Sequence, residues 1–320
     1  MKKTLVAFAA MAAVTGAMAE VTIFGIVDQA YVMSSTKVGT ATSKTTSVGG
    51  QYTGSELGFK GSEDLGNGLK ASFQIHFNPS TETSASPTGY QSHVGVSGGF
   101  GAVKLGQFFS PLFFHSATFD ATGASALGYN VANVVTPSFA LTSNAIQYDL
   151  PTVVPGLGVS YMMAKGEVPR PATTALNDVS NIRLMYSTGP FSAGISTATT
   201  KGIAGASTKD SGTGLSYDLG MAKVLYNATS SKASSAAVAT KGTNIGISIP
   251  LGATTLNYTS TTSKNTSAAN LQSSGSLLQG IYALSKRTSV IFQSGTTKVT
   301  SGTSNGSTNK ANAVGLWHSF

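Results

Sequence analysis

Covalent chemistry needs nucleophiles, acids, bases or metal ligands at useful spacing, and this chain is poor in all of them. It carries no Cys, four His (His76, His93, His115 and His318) and 12 acidic residues among 320. No HExxH or other ligand spacing joins the histidines, so no metal centre, disulfide framework or thiol nucleophile is expected. No acid, base and nucleophile are grouped as a catalytic set either, and neither an enzyme nor a bound cofactor is expected. What remains is a thin scatter of fixed charges and one dense aromatic run. Phe108, Phe109, Phe113, Phe114 and Phe119 put five of the 15 Phe within twelve residues, and Asp120 beside them is the only carboxylate from 110 to 142. Groups of this kind steer, bind or restrict a passing solute, and elements with a water-lined face must hold them in place.

The composition says what those elements are. Asp, Glu, Lys and Arg make up 10% of the chain, against roughly 25% in soluble domains. There are 37 Gly, 43 Ser and 40 Thr, a mixture that favours strands and turns over helices. The net charge of +8 is diffuse; without a Lys/Arg cluster interleaved with aromatics it does not point to nucleic acid. At the N-terminus Lys2 and Lys3, the apolar run Leu5 to Val14 and Ala17-Met18-Ala19 have the form of a secretory signal peptide over residues 1–19. Cleavage between Ala19 and Glu20 would leave residues 20–320 as one exported domain. No later stretch reaches the ~18 apolar residues of a transmembrane helix.

That domain alternates with period two rather than 3.6. Sixteen strands are predicted, from Thr22 to Met33 at one end to Ala313 to Phe320 at the other. Seven tight connections, such as Gly98-Gly99-Phe100-Gly101 and Pro250-Leu251-Gly252, alternate with eight longer Ser/Thr/Gly-rich loops such as 34–50, 110–142 and 297–310. This is the pattern of an up-and-down barrel. Leu69, Ala71, Phe73, Ile75 and Phe77 share one face of their strand, while Lys70, Ser72, Gln74 and His76 share the other. Sixteen strands enclose a lumen too wide for side chains to fill, so the polar face lines water and the apolar face meets lipid. The fold class is therefore all-β: a 16-stranded antiparallel transmembrane β-barrel. A large secreted β-sandwich or adhesin is the competing architecture.

Particular segments then resemble a known family. Val21-Thr22-Ile23-Phe24-Gly25, the run from Leu57-Gly58-Phe59-Lys60-Gly61 through Ser62-Glu63-Asp64-Leu65-Gly66-Asn67-Gly68, Val94-Gly95-Val96-Ser97-Gly98-Gly99-Phe100-Gly101, Leu284-Ser285-Lys286-Arg287-Thr288 and the end Val314-Gly315-Leu316-Trp317-His318-Ser319-Phe320 resemble the Gram-negative general porins, above all their β-proteobacterial branch. The resemblance implies a multi-pass outer-membrane barrel, usually a homotrimer, through which small hydrophilic solutes and ions diffuse passively. It implies partners too: further copies of the chain, membrane lipid and lipopolysaccharide, and the barrel-assembly machinery that reads a terminal signal, here Val314, Leu316, His318 and Phe320. It also implies that the third loop, 110–142, folds into the barrel, and that the second, around Asn78 to Gly89, lies where the family latches onto a neighbour. Glu82 and Glu167 are the loop carboxylates that could meet calcium or lipopolysaccharide.

Alternation and the resemblance together give the constriction candidates Asp28, Glu56, Lys60, Lys104, Gln107, Asp120 and Arg183. Where the family commonly carries wall arginines this chain has Glu56, Gln107 and Trp317, so weak ion selectivity is expected. Glu56 and Lys60, two apart on one face, would form a wetted pair of little net energy. The Phe cluster packs the third loop against the wall or lines a route for amphiphilic or aromatic solutes. The second option would make the channel substrate-specific.

Overall fold

The computed structural model describes residues 20–83, 85–125, 127, 141–166, 178–202, 205–236, 239–265, 272–299 and 306–320. The expected leader, Ala19 included, lies outside them, as does Glu167; the first strand begins at Glu20. The strands are β1 (Glu20–Val38), β2 (Ala41–Gly49), β3 (Glu56–Gly66), β4 (Leu69–Asn78), β5 (Thr88–Gly98), β6 (Gly101–Phe109), β7 (Leu141–Asp149), β8 (Leu157–Ala164) and β9 (Asp178–Thr188). They continue with β10 (Phe191–Lys201), β11 (Ser207–Asp218), β12 (Lys223–Ala233), β13 (Thr240–Leu251), β14 (Thr254–Asn265), β15 (Gln272–Ala283), β16 (Thr288–Val299) and β17 (Thr308–Ser319). A helix, α1 (Pro111–Thr118), stands in the third loop. All pairings are antiparallel; they join chain neighbours, except that β1 also pairs with β3 and with β17, the latter closing the sheet on itself. Closure is what lets strands cross lipid, because it leaves no edge of unsatisfied backbone.

Seventeen segments make sixteen staves. β2 and β3 share one edge of β1, with β2 on residues 30–38 and β3 on residues 20–26. Between them residues 50–55 leave the sheet, so β1 residues 27–29 lose their ladder partner there. Ser55 restores part of it: its Oγ accepts from Asp28 N (3.1 Å) and donates to the Asp28 carbonyl (3.2 Å). The segment steps to the lumen side, where Thr53 Oγ1 accepts from Trp317 Nε1 (2.9 Å). The second loop covers the window from the other direction. Glu82 Oε1 accepts from Gly50 N (3.0 Å), and Thr81 Oγ1 meets Gln29 Nε2 and Ser55 Oγ.

The seven tight turns fall where the sequence places them, and several of the long loops are shorter than expected. Residues 34–50 are mostly strand: β1 and β2 join through Gly39-Thr40, with Val38 opposite Ala41 and Gly39 at φ 59°. The same holds up to Lys201, Ala233, Asn265 and Val299, where strands run on into the Ser/Thr-rich stretches before they end. Threonine and serine favour extended backbone, and their hydroxyls pair across strands, as Ser34 with Thr45 (2.6 Å) and Thr243 with Thr262 (2.8 Å).

The outer face is a continuous apolar band. Val94, Leu105, Ile195, Leu215, Ile245, Leu278 and Phe292 are all exposed there, with Tyr186, Phe191, Tyr217, Tyr282 and Phe320 towards the turn end, as interfacial aromatics require. The inner face is polar and tightly bonded: Asn244, Asn257, Thr259, Thr261, Gln279 and Gln293 are buried. Asn244 Nδ2 donates to Thr261 Oγ1 (3.0 Å), and Asn257 Nδ2 to Gln279 Oε1 (2.9 Å).

Candidate functional site: the constriction inside the barrel

The third loop enters the lumen. Ser110 caps α1, its Oγ accepting from Phe113 N (3.2 Å), with Pro111 in the first turn where its missing N–H costs nothing. The helix packs on the inner wall made by β8 to β11. Leu112 N donates to Asn181 Oδ1 (2.7 Å), and Arg183 Nη2 to Thr118 Oγ1 (3.0 Å). The loop then follows the wall. Gln293 Nε2 donates to Ser125 Oγ (3.1 Å), and Leu127 joins Ala30, Val32, Leu277 and Ala313 in a small apolar cluster.

The wall is hollowed to receive it. A Cβ added at Gly214 would lie 2.0 Å from Phe119, one at Gly194 3.0 Å from the same ring, one at Gly212 2.6 Å from His115, and one at Gly246 2.7 Å from Ala121. These inward-facing glycines form a trough under Phe119 and His115, both of which are fully buried. No motif flags them. The signal available in the sequence is glycine recurring at the inward positions of neighbouring strands, where polar side chains stand elsewhere. Burial and the Arg183 guanidinium push the His115 pKa down to about 4, so its imidazole is neutral at pH 7.

Two of the five clustered phenylalanines are fully buried. Phe119 fills the trough, and Phe108 is buried among Ala145, Met162, Ala164 and Val179. The other three form part of an aromatic chain facing the lumen. Phe109 stacks on Phe113 (4.3 Å) and meets Phe114 edge-on (6.1 Å), and Phe114 is exposed. Tyr90, on the neighbouring strand β5, carries the chain onward, 5.2 Å from Phe109 and 4.8 Å from His76, which in turn lies 5.3 Å from Phe24.

Most charged candidates do face the lumen, with partners other than those expected. Glu56 Oε2 lies 3.1 Å from His76 Nε2, so the anticipated Glu56–Lys60 pair is replaced by Glu56–His76. Register sets His76 opposite Gly58, and the space over that glycine is filled by the Phe24 ring, which an added Cβ would meet at 2.5 Å. Lys60 instead sits 5.1 Å over the Phe24 ring and Lys104 4.5 Å over Phe108. Asp28 is buried, and its Oδ2 accepts from the backbone N–H of Tyr52 (2.8 Å), Thr53 (2.9 Å) and Gly54 (2.9 Å); it anchors the inward step of residues 50–55. Asp120 is likewise held by Thr122 N, Thr122 Oγ1 and Ala124 N, and burial raises its pKa against those donors. Gln107 lies at the register break between Gly106 and Phe108, where it has no partner on β7. There its Nε2 donates to the Tyr90 carbonyl, and its Oε1 accepts from Ser143 (2.6 Å).

Trp317 stands inward beside Asp28 and carries Tyr52 edge-on at 6.3 Å. Of the terminal-signal residues, Val314, Leu316 and Phe320 are exposed on the outer face. His318 Nδ1 lies 2.9 Å from Thr288 Oγ1. Phe320 exchanges two backbone bonds with Gly25 (3.2 and 3.0 Å), and its ring covers that glycine, where a Cβ would meet it at 2.3 Å. Among the described residues no three His, Asp or Glu side chains gather as a metal-sized group.

The fold is shared with known proteins. The structure is similar to an anion-selective porin from Comamonas acidovorans (TM-score 0.81, 22% identity, 94% of this chain and 100% of that one). It is also similar to OmpF of Salmonella typhi, solved in complex with daunomycin (TM-score 0.69, 14% identity, 94% and 98%). Among curated relatives, major outer membrane protein P.IB of Neisseria meningitidis is 36% identical over 166 residues, 47% of this chain and 50% of that protein. The chain thus spans about half the length of the curated relatives it matches. A Gram-negative porin family model matches residues 6–303, nearly the whole chain, and with closed barrel and inward third loop in agreement, the chain belongs to the Gram-negative porin family.

Proposed function

We propose that this chain forms a water-filled channel in the outer membrane, through which small hydrophilic solutes and ions diffuse passively with weak anion preference. The carrying observation is the unequal fate of fixed charges at the constriction. Asp28 and Asp120 are each wrapped by three hydrogen-bond donors and Glu56 is shared with His76. Lys60 and Lys104 lean on aromatic faces and make no ion pair among the described residues. Their fields reach the lumen less compensated, and fixed charge at a narrow point is what sets selectivity. Passive diffusion needs no catalytic group, and no enzymatic role is proposed. Export by cleavage after Ala19, recognition of the strand ending at Phe320 by the assembly machinery, contact with lipid and lipopolysaccharide, and a homotrimeric state belong to the same reading and rest on family membership. Planar-bilayer recordings under a KCl gradient test it. Salt-dependent conductance in triplet steps with a small anion-directed reversal potential is expected; a folded, inserted protein that passes no current would remove the channel.

A further inference from the structure

Register stacks two inward-facing rows on the wall formed by β1 and β3 to β5. Thr22 pairs with Lys60, Lys60 with Gln74, and Gln74 with His93, so a hydroxyl, an ammonium, an amide and an imidazole stand side by side at one level. One pleat nearer the loop end, Phe24 and His76 flank Gly58 and continue through Tyr90 as an aromatic row. Phe24 and Tyr90 are half-buried, which leaves part of each ring open to the lumen. Below the rings, Thr22, Lys60, Ser62, Ser72, Gln74 and His93 line a recess of about 380 Å³. Lys60 links the levels. Its Nζ lies 5.1 Å from the Phe24 centroid, and the nearest acid along its own strand is already taken by His76.

We infer that this wall is a subsite for small aromatic carboxylates. The ring lies against Phe24 and Tyr90, and the carboxylate reaches down to Lys60 and Gln74. Inward positions two residues apart along a strand are separated by about 7 Å. That separation suits an arylalkanoate such as 3-phenylpropionate, whose ring and acid group stand a short chain apart. Recognition is double. Aromatic edges and faces take the ring, while an ammonium free of a carboxylate partner takes the charge. An aliphatic acid loses the first and an aryl alcohol the second. The inference deepens the channel reading by naming a solute class for the same lumen.

Saturation-transfer NMR on the detergent-folded protein reads binding independently of conduction, with 3-phenylpropionate as the probe. Propionate and 3-phenylpropanol are expected to bind at least about fivefold more weakly, since each keeps only one of the two contacts. Lys60→Gln should weaken the aryl acid and leave the alcohol unchanged; Phe24→Leu or Tyr90→Leu should weaken the aryl acid and leave propionate unchanged. Parity of propionate with 3-phenylpropionate, or indifference of the aryl acid to all three substitutions, overturns the subsite. Bilayer recordings separate the two readings. A protein that conducts but does not discriminate keeps its channel and loses the subsite, whereas one that binds the aryl acid without conducting keeps the subsite and loses the channel.

Discussion

Gly214 shows how much of this pore depends on an absent side chain. A Cβ there meets Phe119 at 2.0 Å, so Gly214→Val should lift the aromatic plug of the third loop, costing about 1–3 kcal/mol of overpacking. The expected readout is a lower thermal unfolding temperature together with altered single-channel conductance. Gly158→Ala, where nothing lies within 4 Å, should change neither. Asp28 makes the opposite case, a side chain whose loss strands others. Asp28→Ala leaves three backbone N–H groups without their acceptor and should cost about 2–3 kcal/mol, measured by urea unfolding. Asp28→Asn, with an amide oxygen still able to accept, should recover part of that loss. Alternation alone identified Asp28, Glu56, Lys60, Lys104 and Arg183 as inward residues. It could not identify their partners. Whether Lys60 meets Glu56 or Phe24 depends on the level at which β1, β3 and β4 are paired, which is a property of three strands together.

The third loop is the element that acts as a unit, and its anchorage should depend on pH. His115 has both ring nitrogens buried without a hydrogen-bond partner among the described residues, and its pKa falls from 6.5 to about 4 when packed. The packed state therefore binds fewer protons than the released state. Packing is at full strength above pH 6.5, weakens as pH falls through the interval from 6.5 to 4, and by linkage loses up to about 3 kcal/mol there. Acidification across that interval should increase current fluctuations and protease cleavage within 110–125, and His115→Leu should flatten both. The element boundaries were partly legible in the sequence. Six of the seven tight turns carry Gly, Pro or Asn, the exception being Ser285-Lys286-Arg287-Thr288, and all seven were found. Ser/Thr-rich stretches read equally well as loop or as strand, since these residues favour extended backbone and tolerate water. That ambiguity hid the β1–β2 hairpin. It also hid the interrupted stave, because nothing local in residues 50–55 reveals that Ser55 and Glu82 will substitute for the missing ladder.

On the scale of the whole molecule, polar and apolar faces were legible at once, because a period of two allows only one way to present both to their solvents. Ion selectivity belongs to this scale, being the sum of fields across the lumen. Lys60→Gln with Lys104→Gln should move the reversal potential towards cations, more at low salt than at high, where the Debye length is only ~3 Å at 1 M. An unchanged potential would assign the field to other charges. The pairing of residues 26–37 with 308–319 also dictates the order of events when the protein forms. Every other strand pair joins near neighbours in the chain and can zip as soon as its turn exists. The seam must wait until β17 has been synthesised, and it joins the two segments farthest apart, the slowest kind of contact to find. Until then β1 and β17 remain open edges, which invite pairing with other chains. Phe320 exchanges its two backbone bonds with Gly25 only when the seam shuts, so a barrel left open along β1 and β17 lacks them.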